Sequence, residues 1–86
     1  MKFTVTWTPK AEADFTRDWL AARDRISMDE AIVAIERELA TTPLNAGESR
    51  FGNHRVMTVE PISVVFSVWP DDRLVKVVQI TKRSSR

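Results

Sequence analysis

The side chains with the most chemical potential gather in the C-terminal half of the 86-residue chain: Arg50, His54, Arg55, Trp69, Lys82 and Arg83. Arg50, Arg55, Lys82 and Arg83 border strand-like runs and could form one anion-contacting set, since guanidinium and ammonium groups pair with phosphate through charge-assisted hydrogen bonds. The bland alternative is that arginines beside strand ends simply keep a surface soluble. His54 is the sole histidine, and an imidazole titrates near neutrality, so it could give or take a proton. Following Gly52 and Asn53, it reads equally as a solvated turn residue. Trp69 ends an apolar run and reads as a partner contact or as cover for a sheet, whereas Trp7 and Trp19 read as core. Arg73 and Lys76 flank a hairpin turn and are expected to be exposed. Asp71 and Asp72 read as turn formers and not as a metal pair.

What is missing narrows the chemistry further. Cysteine and tyrosine are absent and histidine occurs once, which excludes a disulfide framework, a thiolate zinc site, a cysteine nucleophile, a multi-histidine metal centre and a phenolic acid. No metal and no cofactor is expected. A chain of this length makes one domain, residues 1–86, and buries only about 60–65% of its unfolded surface. Function therefore belongs on a surface or shallow groove. The N-terminal MKFTVTW is too short for a signal-peptide core and no run reaches the ~18 apolar residues of a membrane span, so a cytoplasmic protein without membrane contact is the expectation. Net charge is only +1, but it is unevenly spread: residues 9–40 hold five Lys/Arg against eight Asp/Glu, and residues 41–86 hold seven against four. An anion would meet a favourable field on one side only. Such a small net charge also argues against a generic RNA-binding domain.

The elements that must position these residues can be read from periodicity. Residues 2–7 alternate, with Phe3, Val5 and Trp7 on one face, which predicts a half-buried strand. Thr8-Pro9 is a helix start, with a hydroxyl to cap free N–H groups and a proline that loses no needed donor. A helix is predicted from Pro9 to Ala22, with Ala11, Phe15, Trp19 and Ala22 inward and Glu12, Asp14, Arg17 and Asp18 left to solvent. After Arg23–Ile26, Ser27 and Glu30 match a capping box and predict a second helix. Its stripe is Met28, Ile32, Ile35 and Leu39, and Thr42-Pro43 stops it. Leu44 to Asn53, holding both glycines, reads as the one long loop. Three β-branched runs follow, Arg55–Val59, Ile62–Val68 and Leu74–Ile80. They are divided by Glu60-Pro61 and by a type I turn at Pro70-Asp71-Asp72.

The order β-α-α-β-β-β implies an α+β fold, a two-helix hairpin on one face of a four-stranded, mainly antiparallel sheet. Both faces of the last two strands carry apolar residues. Helices cover only one of them, so the second face or an edge needs a partner, and a dimer pairing sheets would serve as well.

That order, with Gly47-Glu48-Ser49-Arg50 in the central loop, a proline before the third strand, the hairpin VVFSVWPDDRLVKVVQI and the basic pair Lys82-Arg83 after it, resembles the RelE/ParE superfamily of bacterial toxins over nearly the whole chain. The resemblance implies the toxin of a type II toxin-antitoxin module, of the plasmid-stabilisation type, held inactive by a cognate antitoxin that wraps it. RelE-like members cleave mRNA at the ribosome, and ParE-like members poison DNA gyrase.

Cleavage of RNA by its own 2′-OH needs a proton acceptor, a proton donor and cations around the phosphate. The resemblance implies that Arg55 stands where RelE-like enzymes have a lysine and Arg83 where they have an arginine after the last strand. Met57 and Ser63 stand where two further cations belong, and no C-terminal tyrosine follows. Catalytic candidates are thus Arg83, Arg55 and His54, and target-binding candidates are Arg50, Lys82 and Trp69. The depleted cation set tilts the expectation toward a gyrase-directed growth inhibitor. A ribosome-dependent mRNA endonuclease and an inactive antitoxin-binding module are the alternatives, so enzymatic activity stays open. A homodimer and a toxin–antitoxin hetero-oligomer are both compatible with the uncovered face.

Overall fold

The structure, a computed structural model, describes residues 2–52 and 54–82. Its elements are β1 (Thr4–Trp7), α1 (Pro9–Ala21), α2 (Arg25–Thr41), β2 (Glu48–Phe51), β3 (His54–Val59), β4 (Ile62–Trp69) and β5 (Leu74–Lys82), with 3-10 turns at Pro43–Asn45 and Pro70–Asp72. They form one five-stranded sheet in the order β1-β5-β4-β3-β2. β1 runs parallel to β5, and every other pair is antiparallel. Both helices lie on one face, as the α+β reading required.

The fifth strand is a correction. β2 falls inside the segment expected to be a loop, and it pairs through Glu48↔Val56 and Ser49↔Arg55 before a register shift. Nothing in Glu-Ser-Arg-Phe alternates clearly, so the strand is induced by its neighbour β3 and not by its own propensity. Gly47 makes the approach feasible. Its φ is +65°, and a Cβ there would run into the Val56 carbonyl. The turn between β3 and β4 contains a cis Glu60–Pro61 peptide. The expected type I turn after β4 is a short 3-10 turn closed by Arg73 in the left-handed region, φ +50°.

α1 starts as its sequence dictates, with the Thr8 hydroxyl accepting from Ala11 N at 3.1 Å and Pro9 in the first turn. α2 begins earlier than expected. Asp24 caps it, its carboxylate accepting from Ser27 N at 3.0 Å and from the Ser27 hydroxyl at 2.7 Å. A carboxylate that takes both donors outcompetes the predicted Ser27–Glu30 box, and Arg25 and Ile26 join the helix. Arg25 then reaches back over the end of α1. It donates to Trp19 O at 3.0 Å, which also accepts from the Ala22 N–H, and to Leu20 O at 2.8 Å, adding donors to carbonyls at the helix end. Its guanidinium lies 4.6 Å from the Trp19 ring centroid, and Trp19 Nε1 donates to Asp29 at 3.0 Å. Trp19 is therefore half-buried and locks the hairpin at the margin of the core, where the sequence suggested simple burial.

The core lies between the helices and β4–β5. Ile62, Val64, Phe66 and Val68 of β4 and Val75, Val77 and Ile80 of β5 meet Ala11 of α1 and Met28, Ala31, Ile35 and Leu39 of α2. Full burial of each large side chain contributes ~1.5–3 kcal/mol. Asp14, expected in solvent, is buried on α1 at 6% exposure. Its position follows from the sheet. A bulge shifts the register between Val65 and Phe66, and β1 accompanies β5 only from Leu74 to Val77. Farther along, Ile80 N–H is accepted by Asp14 Oδ2 at 3.4 Å, while Lys10 Nζ holds the same oxygen at 2.9 Å and Arg17 approaches Oδ1 at 3.5 Å.

The hydrogen bond from Lys10, ahead of that from Ile80 N and the nearby charges, lowers the Asp14 pKa despite burial; two hydrogen bonds from Ser27 do the same for Asp24. A carboxyl depressed on folding stabilises the native state above its unfolded value, about 3.9, and this contribution disappears as pH falls through the lower folded value. Thermal melts should therefore show stability falling below about pH 4. Asp14→Ala should cost about 1–3 kcal/mol at pH 7 by leaving the Ile80 N–H without its partner, and should shrink the acid-side loss.

Candidate target-binding face

The register sorts the functional candidates onto two faces. Arg55 pairs with Phe66, Met57 with Val64 and Val59 with Ile62, so these β3 residues point to the helix side with the buried β4 residues. His54, Val56 and Thr58 point the other way, because successive residues of a strand alternate. His54 and Arg55, both expected in one catalytic set, are thus on opposite faces of the sheet.

Arg55 has a defined task where it stands. Its Nε donates to Ala46 O at 3.0 Å and its guanidinium donates again to Gly47 O at 3.3 Å. It clamps the turn that precedes β2 onto β3. Met57 packs against the core. The two positions that the RelE-like pattern assigns to cations are accordingly turned away from the open face.

The open face carries a continuous row across four strands. Thr6 of β1 pairs with Lys76 of β5, Lys76 with Ser67 of β4, and Ser67 with His54 of β3. The adjacent row runs Thr4, Leu74, Trp69. Trp69 is 42% exposed, donates from Nε1 to the buried Ser67 hydroxyl at 3.1 Å, and has Lys76 Nζ 6.0 Å from its ring centroid. An ammonium over an indole is held by the ring's quadrupole, so Lys76 presents its charge beside an exposed aromatic surface. Toward the other end come the pair Val56–Val65, both half-buried, and then the hydroxyl cluster Thr58, Ser63 and Thr81. Thr58 and Ser63 share a 2.7 Å hydrogen bond. Ser63 is where the resemblance asked for an arginine, and among the described residues its neighbours on this face, Thr58, Val65, Gln79 and Thr81, are neutral.

Of the remaining candidates, only Lys82 has a described side chain. Lys82 pairs with Ile62 and is exposed at the far end of β5. Arg50 belongs to β2, and Arg83 lies outside the described residues. Two members of the patch, Lys76 and Ser67, were not singled out as candidates from the sequence. The signal was present: a three-residue turn at Pro70–Asp72 fixes the hairpin register and sets Ser67 opposite Lys76, two residues from Trp69. Among the described residues no cluster of three His, Asp or Glu side chains could hold a metal, and no helix is long and apolar enough to cross a membrane.

No family model matches the chain, and no curated protein sequence does. Solved structures do. A chain of the chromosomal ParDE toxin-antitoxin system from P. aeruginosa superposes with TM-score 0.73 at 22% identity, over 96% of this chain and 98% of that one. A chain of the RelBE2 toxin-antitoxin complex from Mycobacterium tuberculosis gives 0.69 at 16% identity, over 99% and 95%. The archaeal RelE–RelB complex from Pyrococcus horikoshii OT3 supplies another match at 0.63 and 11% identity, covering both chains fully. Two helices packed on one face of this sheet are the RelE/ParE fold.

Arg55→Ala should lower stability by about 1–3 kcal/mol in urea unfolding, since it leaves two carbonyls without their charged donor. Trp69→Ala should lower stability by about 1 kcal/mol, since it removes the indole donor from the buried Ser67 hydroxyl, and should leave the protein folded.

Proposed function

We propose that this chain is the toxin of a bacterial type II toxin-antitoxin module, acting in the cytoplasm on DNA gyrase and neutralised by a cognate antitoxin. The fold supports the class: its structural neighbours include chains from the ParDE and RelBE2 toxin-antitoxin systems and from the archaeal RelE–RelB complex. Preference for gyrase over mRNA rests on one observation, the orientation of β3. Arg55 and Met57 face the helices, and the opposite face carries hydroxyls at Thr58, Ser63 and Thr81. Such a surface can bind a macromolecule through Trp69, Lys76 and the valines. Around Ser63 the described residues of this face offer hydroxyls and no cation to neutralise the charge that develops on a phosphate under attack.

Expression without an antitoxin should arrest bacterial growth, and unchanged growth would remove the toxin reading. With purified components, the protein should inhibit supercoiling by gyrase and leave translated mRNA intact in primer extension; the reverse pattern selects the mRNA endonuclease, for which Arg83→Ala should abolish cleavage. Trp69→Ala should weaken gyrase inhibition by about 30-fold, as expected when a central aromatic contact worth ~2 kcal/mol is lost.

A further inference from the structure

Each of the three tryptophans donates its indole N–H to a side chain, a carboxylate for Trp7 and Trp19 and the Ser67 hydroxyl for Trp69. Trp19 donates its indole N–H to the Asp29 carboxylate at 3.0 Å and carries the Arg25 guanidinium 4.6 Å from its ring centroid. Trp69 carries the Lys76 ammonium at 6.0 Å. Trp7 repeats the first half of the Trp19 arrangement, donating from Nε1 to Glu36 Oε2 at 2.9 Å. Among the described residues, however, no cation lies over its ring.

Trp7 opens onto a groove of about 510 Å³, on the helical side of the sheet, lined by Trp7, Glu12, Phe15, Thr16 and Glu36. Three elements converge there. β1 brings Trp7, α1 brings Glu12, Phe15 and Thr16, and α2 brings Glu36. Phe15 stands edge-on to Trp7, with centroids 5.9 Å apart and an interplanar angle of 79°, which fixes the indole. The groove's charge is not compensated from within: Lys10 and Arg17 of α1 are drawn to Asp14, and no salt bridge joins Glu12 or Glu36 to a basic side chain among the described residues. The surrounding stretch, residues 9–40, holds eight acidic against five basic side chains.

We infer that this groove is a docking socket for an arginine presented by a segment of a polypeptide partner, its guanidinium stacked on Trp7 and paired with the carboxylates of Glu36 and Glu12. Arginine suits the site better than lysine, because a planar guanidinium can stack and donate to carboxylates at once. The chain shows part of this arrangement internally: at Trp19 an indole that donates to a carboxylate carries a guanidinium over its ring, although Arg25 there donates to backbone carbonyls and not to Asp29. The socket lies on the opposite side of the sheet from Trp69 and Lys76, so occupying it leaves the open face free. This inference goes beyond the toxin reading and does not require it.

The test uses the full chain labelled with ¹⁵N, titrated at low salt with tetra-arginine amide and separately with its neutral counterpart, tetra-citrulline amide. The indole N–H signal of Trp7, assigned with Trp7→Phe, should shift saturably with tetra-arginine. The response should be weaker by about tenfold or more with tetra-citrulline and in the Glu12→Gln/Glu36→Gln variant, while the Trp19 signal stays in place. The Glu36→Gln amide retains an oxygen to accept from Trp7, and Glu12→Gln alone, at an exposed position, gives a second reading should the double variant fold poorly. A Trp7 signal that does not move, or that moves equally with both peptides or in the variants that remove these charges, overturns the socket. No antitoxin or gyrase is present, so failure here is separate from failure of the growth assay.

Discussion

Burial of one sheet face beneath two helices is the constraint on which the other features depend. β4 and β5 supply half of the buried apolar core, including its largest side chain, Phe66, and they can do so only if alternate residues go the other way. The same pleat that drives Val64, Phe66 and Val68 inward drives Ser63, Val65, Ser67 and Trp69 outward. Among the described residues no third layer covers that face. The exposed face with its tryptophan is therefore a direct consequence of how the core is made, and its polar row from Thr6 to His54 is what keeps it wettable.

Holding the helices against that sheet requires polar connections as well as apolar ones. Asp14 enters a buried position because β1 stops short and leaves Ile80 N–H beyond the reach of a strand partner. The carboxylate is tolerable there because Lys10 and Arg17 approach from the same helix. Arg55 performs a parallel service at the opposite edge, where two carbonyls before β2 would otherwise lack a donor from the sheet. Both residues belong to types that commonly signal chemistry, and both are consumed by architecture.

Charge is distributed in keeping with this division. The helical side carries the acidic excess of residues 9–40, including Glu12 and Glu36 beside Trp7, whereas Lys76 projects from the sheet side beside Trp69. A molecule with an acidic aromatic groove on one side and a cationic aromatic patch on the other can engage two different macromolecules through separate surfaces. The fold itself is shared with chains from the ParDE and RelBE2 toxin-antitoxin structures and from the archaeal RelE–RelB complex.

Much of the fold was legible in the chain. Period-two runs marked β1, β3, β4 and β5, and Thr8-Pro9 and Thr42-Pro43 bounded the helices, because such signals are local and act through the backbone of their own segment. β2 was not legible, since Glu48–Phe51 is a strand only by virtue of the β3 edge beside it. Capping by Asp24 instead of Ser27 was a contest between adjacent acceptors that the three-dimensional position of the chain decided. The candidate site divided in the same way. Trp69 stood out by its place at the end of a hairpin strand, but which face Arg55 and His54 occupy depends on strand register, and a shift of one residue exchanges the faces. Residue types and their spacing determined that this protein would have a helix-backed sheet with cations and aromatics near its strand ends. Only the tertiary packing decided which of those side chains would support the fold and which would be left to meet a partner, because a sheet face is defined by what covers the other one.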